Sequence, residues 1–225
     1  MAHGIIVFGA SGSGTTTLGR ELAQALRFAH LDIDDYFWKK TDVPFASVRP
    51  REERQQMLLA DILKHKNFIV SGSVIGWDEP LLPHLDLAVF VITPADIRID
   101  RLKKREFTNF SERISEGGDM YDNHLAFIQW AAKYDTGGSD MRSFASHEQW
   151  AKNCPCPVVR VNGTDDCQKI AADIAERFYT KPNEPWRVIP YALGELKTYR
   201  FTVIFARLGK VNGAWLYARH KDRDT

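Results

Sequence analysis

Charge of one sign is what this sequence most plainly lacks. Thirty Lys/Arg stand against 29 Asp/Glu, a formal net charge of +1. No overall basic field therefore points to a nucleic-acid or membrane-surface partner. The first apolar run, Ile5 to Phe8, is too short for a signal peptide or a membrane span. Cysteine is scarce and odd in number: Cys154, Cys156 and Cys167. That excludes a disulfide-built scaffold and, with no secretory leader, suggests a reducing, cytoplasmic compartment. Cys154 and Cys156 flank Pro155, but no second Cys or His pair stands at zinc-ligand spacing.

What is present fits a soluble α/β protein. Hydrophobic residues make up 44% and charged residues 26% of 225 positions, enough for one full domain plus something small. Residues 181–225 carry nine Lys/Arg against four Asp/Glu, a balance of +5, which leaves 21 against 25, or −4, for residues 1–180. The shift marks a compositional boundary. The expected division is a domain over 1–180, a linker over 181–198 opening with Lys181-Pro-Asn-Glu-Pro185, and a β segment over 199–225.

Strand-like and helix-like stretches alternate, which predicts a largely parallel sheet. Strands are expected at Gly4–Phe8, Phe28–Asp34, Asn67–Ser71, Leu85–Thr93 and Pro157–Val161. Leu18, Leu22, Ala25 and Leu26 share one face of a helix, and residues 50–65 form another. Thr93-Pro94-Ala95-Asp96 reads as a helix start, with Thr93 as N-cap and Pro94 in the first turn. Two helices are expected over 119–135 and 140–152. A last one, over Asp165–Phe178, carries Cys167, Ile170, Ile174 and Phe178 on one stripe.

The chemistry is carried by Gly9-Ala10-Ser11-Gly12-Ser13-Gly14-Thr15-Thr16, between the first strand and the first helix. In that context glycines let backbone N–H groups curl inward around phosphate oxygens, and the helix N-terminus adds partial positive charge. Thr16 stands where the magnesium-binding hydroxyl of G-x-x-x-x-G-K-[ST] belongs. The lysine position is Thr15, which donates a hydrogen bond but brings no charge to the β- and γ-phosphates.

The loop from Gly9 to Leu22, with Asp32-Ile-Asp34-Asp35-Tyr-Phe-Trp38, resembles the small nucleotide and metabolite kinases, the adenylate-kinase and shikimate-kinase group, over residues 1–180. The resemblance implies a P-loop NTPase three-layer sandwich that binds ATP with Mg2+. It implies Asp34 as acceptor-binding residue or base, and Asp32 with Thr16 in the metal shell. Asp32, Asp34 and Asp35 lie at the end of a strand, where open α/β sheets bind ligands. The shikimate-kinase glycine triplet is replaced by Ser71-Gly72-Ser73, which argues against shikimate as acceptor. Arg98, Arg101 and Arg105 share a helix face. By the resemblance, Arg101 and Arg105 clamp the phosphates and Phe110–Tyr121, with Gly117-Gly118, is a mobile lid. Arg142 is a third, less supported candidate. Trp38, Trp77, Trp130 and Trp150 read as core or groove walls, Asp86 as structural, and His124 and His147 have no visible partner.

In the tail, Tyr199–Ala206 and Ala214–Ala218 read as two strands around an Asn212-Gly213 turn. Phe201-Thr-Val-Ile and Trp215 to Asp224 resemble the opening strands of a Nudix hydrolase, without the Nudix box. Three functions are open: an ATP-dependent, adenylate kinase-like phosphotransferase acting on a nucleotide or small metabolite; a nucleotide-binding or sensing module with weak or no transfer; and a fragment of a kinase–Nudix fusion in nucleotide-pool metabolism.

Overall fold

The computed structural model describes residues 3–180 and two strands within 205–219. In chain order the elements are β1 (His3–Gly9), α1 (Thr15–Leu26), β2 (Ala29–Asp32), α2 (Ile33–Phe37), α3 (Arg51–Lys64), β3 (Asn67–Ser71), β4 (Leu85–Ile92), α4 (Ala95–Phe110), α5 (Tyr121–Ala132), α6 (Phe144–Asn153), β5 (Val158–Asn162) and α7 (Cys167–Thr180). The strands pair in parallel in the order β2-β3-β1-β4-β5. This is the α/β sandwich the sequence predicts, with β1 at its centre.

Alternate residues of β1 face opposite layers, because successive side chains of a strand point to opposite sides. Ile5 and Val7 pack with Leu18, Leu22 and Leu26 of α1 and Ile170 and Ile174 of α7. Ile6 and Phe8 pack with Leu58 and Ile62 of α3, Ala151 of α6, and Trp77. Both faces of the sheet are therefore covered, which is why the strands are apolar throughout rather than alternating. Phe8 stacks on Phe90 at 4.7 Å and meets Trp150 edge-on at 4.8 Å. Burying each such ring contributes about 1.5–3 kcal/mol. Asp86 is structural, as expected: its carboxylate accepts from the Gly4 backbone N–H and lies 3.3 Å from His3 Nδ1.

Three local expectations are corrected. The second strand stops at Asp32 rather than Asp34, because the Asp32 carboxylate accepts the Asp34 N–H at 3.1 Å and caps the short helix α2. Thr93 does not cap α4; it is buried and its hydroxyl donates to the Ser13 carbonyl at 3.1 Å. That carbonyl is the stronger claimant, since a buried acceptor left unpaired is costly. The helix expected over 119–135 is α5 followed by a 3-10 turn, Lys133–Asp135.

In the tail, β6 (Phe205–Val211) and β7 (Ala214–Arg219) form an antiparallel pair that closes at Val211–Ala214. The first strand thus runs five residues past the expected Ala206, because pairing with a partner strand sets strand limits more than composition does. The linker, the Asn212-Gly213 turn and most residues of the Nudix-like resemblance lie outside the described residues. Among the described residues no helix is long and apolar enough to cross a membrane.

Candidate active site

The glycine-rich loop leaves the central strand at its C-terminal end and runs straight into α1. Gly12 and Gly14 hold left-handed backbone (φ 79° and 99°), which side-chain-bearing residues rarely adopt. Gly12 also has no room for a side chain: a Cβ there would lie 2.6 Å from the Arg98 carbonyl. The Ser13 N–H donates to the Ala10 carbonyl at 3.1 Å, and the Leu18 N–H to Gly14 at 2.9 Å, so the loop closes into the first turn of the helix. Thr15 and Thr16 open α1, both partly exposed. Ser13 is completely buried, yet its hydroxyl has no hydrogen-bond partner among the described residues.

Two further loops brace this one. Thr93, after β4, holds the Ser13 carbonyl, and Gly163, after β5, donates its N–H to the Ile92 carbonyl at 2.8 Å. A side chain at Gly163 would collide with Thr93 and Ser13. Beside the loop is a cavity of about 300 Å³ lined by Gly14, Leu18, Val91, Arg101, Asp165 and Ile170, among others. A larger recess, about 650 Å³, lies away from the loop beside Asp35, Lys39, Lys40 and Met57. Its rim includes Arg49 and Glu53, already paired at 2.6 Å.

The arginines on α4 do not act as one face. Arg98 is fully buried and spent on structure: it donates to the Thr93 carbonyl at 3.0 Å and to Asp135 at 2.6 Å, and it stacks over Tyr134. Arg101 donates to the Gly163 carbonyl at 3.0 Å, beside Gly14 and the smaller cavity. Arg105 pairs with Glu106 at 3.2 Å and is close enough to Asp34 to act on its charge. Arg101 and Arg105 therefore meet different partners.

Asp34 stands in the first turn of α2. It keeps contact with solvent, yet the protein crowding around it raises its carboxyl above the ordinary carboxylate range; Asp32 adds to the rise, and Arg142 and Arg105 oppose it. Asp32 is committed on one oxygen to the α2 cap. Among the described residues, no group of three His, Cys, Asp or Glu is placed to hold a metal. Cys154 and Cys156 come within 3.4 Å of one another as free thiols.

Arg142 is where the structure departs furthest from the sequence reading. Its guanidinium donates to Ser11 Oγ at 2.5 Å, lies 4.6 Å over the Trp130 ring, and interacts with Asp34. Its Nε is buried without a partner. Burial lowers its pKa, while Asp34 and Tyr134 oppose that; an arginine stays charged regardless. The next residue explains its placement. Ser143 caps α6 in a reciprocal box with Ser146 and ties back to the Gly138 carbonyl at 2.6 Å. The Ser143-x-x-Ser146 spacing was the signal available in the sequence.

The segment expected to be a mobile lid is folded on itself. Arg113 pairs with Asp119 at 2.7 Å and reaches the Asp42 carbonyl at 3.1 Å, and the Met120 N–H donates to Arg113 at 2.8 Å. His147, expected to be partnerless, is bonded on both sides, to Ser73 Oγ at 3.1 Å and Tyr134 OH at 2.6 Å. His124 lies 3.9 Å from Glu106. Trp77 is core and Trp150 donates to Asp78 at 2.8 Å. Trp38 and Trp130 stand on the Asp34 and Arg142 side of the site.

The family described as AAA domain matches residues 5–119. The Bacillus subtilis protein YqaC is 39% identical over 172 residues, spanning 74% of this chain and 91% of its own. The cytidylate kinase of Haloarcula marismortui is 27% identical over 168 residues, covering 70% of this chain and 85% of the relative. Shikimate kinase 2 of Pectobacterium atrosepticum is 31% identical over 118 residues, covering 48% and 68%.

Proposed function

Because the chain belongs to the AAA-domain family, with nucleotide and metabolite kinases among its relatives, we propose that it is a small-molecule kinase that transfers a phosphoryl group from ATP to a nucleotide or small metabolite. One observation carries the reading. The Arg142 guanidinium donates to Ser11 of the phosphate-binding loop and is near enough to Asp34 for the two charges to act on one another. That shared neighbour supports reading the loop and the carboxylate as donor and acceptor sides of one site.

The residues present fit a polyphosphate. The loop offers a curled backbone, and two buried polar atoms beside it, Ser13 Oγ and Arg142 Nε, lack hydrogen-bond partners among the described residues. Gly9, Ala10, Ser11, Gly12, Ser13 and Gly14 would cradle the phosphates, with Thr15 as an added donor. Thr16, with Asp32, would hold magnesium. ATP with its metal supplies the phosphoryl group and a good leaving group. This chain's residues position it and steady the charge, which is most of what phosphoryl transfer asks of a protein. Asp34, its pKa raised toward the range where a carboxylate is a better base, orients the acceptor and takes the proton of an acceptor hydroxyl. Arg105 flanks the same carboxylate, and Arg101 borders the cavity suited to the rest of the nucleotide.

Residues 1–180 act on this reading as the whole catalytic unit, in the cytoplasm, without nucleic acid. A second reading, a nucleotide-binding module without transfer, is favoured by Thr15 alone. A coupled ADP-release screen over nucleoside monophosphates, nucleosides and small hydroxy acids separates the two. Turnover with one acceptor class is expected, abolished by Gly14→Val, which places a branched side chain at φ 99°. ATP binding without acceptor-dependent ADP release under any condition would leave the binding module as the function.

A further inference from the structure

We infer that Arg142 supplies the positive charge that Thr15, at the lysine position of the loop motif, does not. The inference rests on the phosphate-binding reading of the loop and assigns one residue a role within it.

Four arginines are near enough to compete. Arg98 is fully buried and its donors are taken by Thr93, Ala131 and Asp135. Arg101 reaches the Gly163 carbonyl and borders the smaller cavity. Arg105 pairs with Glu106 and is half exposed. Arg142 alone among them hydrogen-bonds a side chain of the loop, Ser11 Oγ at 2.5 Å. It alone carries a buried nitrogen without a partner, Nε. It is also the arginine that both bonds the loop and acts on the charge of Asp34.

The physical logic favours an anion there. A partly buried guanidinium whose Nε is buried and whose pKa is lowered by desolvation gains most from a phosphate oxygen, since charge-assisted bonds are the strong ones and the planar fork suits phosphate. Asp34 alone does not satisfy it, because no direct ion pair joins the two among the described residues. Stacking on Trp130 at 4.6 Å and the Ser143 cap hold the side chain in place, so little is lost in ordering it.

The test uses inorganic tripolyphosphate, which carries the phosphates without base or sugar, titrated calorimetrically into the full chain. Arg142→Met keeps an apolar stem over Trp130 and removes the charge. It should weaken binding about 10- to 100-fold, the loss expected for one charged hydrogen-bonding group. The melting temperature and circular dichroism should show a folded protein. Thr15→Lys should then recover much of that loss in the Arg142→Met background and add little to the wild type, because the two cations fill one role. Equal binding by folded Arg142→Met, or an equal gain from Thr15→Lys in both backgrounds, overturns the inference. If the methionine variant does not fold, Arg142→Gln, which keeps a donor for Ser11, takes its place with the same expected loss. Failure of the underlying reading looks different: wild-type protein would not bind tripolyphosphate, or Gly14→Val would bind it as well as wild type, and the inference would fall with it.

Discussion

His147 sets a pH limit on this fold that the sequence does not announce. Its side chain is completely buried, bonded to Tyr134 OH and Ser73 Oγ, and flanked by Phe8 and Phe90. Burial first, and the Arg142 charge second, push its pKa from 6.5 down to about 3. A neutral ring gives one donor and one acceptor to its two hydroxyl neighbours, whereas a protonated ring would strand a second charge beside Arg142. The unfolded chain takes up this proton as pH falls through 6.5, but the folded chain does so only near 3. Stability from His147 is thus fully present well above 6.5 and drains away on acidification, at about 1.4 kcal/mol per pH unit. Between pH 7 and 5 the loss is about 2 kcal/mol, a large share of a total of about 5–15 kcal/mol.

His147→Gln keeps a donor and an acceptor but does not titrate. At pH 7.5 it should cost about 1–3 kcal/mol for poorer hydrogen-bond geometry. Urea unfolding of both proteins at pH 7.5, 6.5, 5.5 and 5.0 gives the gap between them. That gap should shrink by about 2 kcal/mol at the acid end. His30, whose pKa burial also lowers, and Asp34, whose pKa burial raises, titrate in both proteins and cancel in the difference. A gap that stays constant from pH 7.5 to 5.0 would refute the reasoning, for His147 would then titrate alike in both states.

Three further outcomes are expected. Asp34→Asn removes a carboxylate whose raised pKa means that folding disfavours its ionised form; the variant should melt at an equal or higher temperature at pH 7 in thermal scans, bind ATP nearly normally, and lose most phosphoryl transfer. In the wild type, transfer should fall on the acid side through an apparent pKa above 3.8, read from the pH dependence of kcat/KM. A chain ending at Thr180 should fold and bind ATP as the full chain does, since α7 closes the core against α1 and the sheet through Ile170, Ala171 and Ile174. Unfolding of that shorter chain, seen by circular dichroism, would make residues 181–225 an integral layer instead.

The parts legible in the sequence were those fixed by neighbours along the chain. Ile5–Phe8 reads as a buried strand because it is uniformly apolar, and Gly9–Thr16 reads as a phosphate loop because its glycines, strand and helix are contiguous. The Asp32 cap is also local, yet it was read as the end of a strand, because an acid after apolar residues fits either a strand end or an N-cap. Arg98, Arg101 and Arg105 share helical spacing, but spacing gives no account of depth. Arg98 is buried because Asp135 and the Thr93 carbonyl, at 37 and 5 residues' separation, offer it partners. His147 and Ser73, 74 residues apart, meet only through the packing of α6 on the sheet.

Arg142 belongs to this second kind, and its distance along the chain has a physical consequence. A lysine inside the loop is in place whenever α1 is formed, since it is part of that helix. Arg142 stands 131 residues from Ser11 and reaches it only when the Gly137–Ser143 turn is docked, α6 is capped by Ser143, and Trp130 of α5 lies beneath the guanidinium. The same guanidinium bears on Asp34. If Arg142 serves the loop as inferred, its charge there is conditional on the packing of α5 and α6 and also acts on Asp34. A phosphate bound at the loop would draw Arg142 toward it and relieve the desolvated guanidinium. Its hold on Asp34 would weaken, and that carboxylate's pKa would move further up, toward a stronger base at the moment the donor is bound. On the inference above, threonine in place of lysine would move the charge from a local element to a tertiary one, and so would link donor binding to the chemistry of the acceptor.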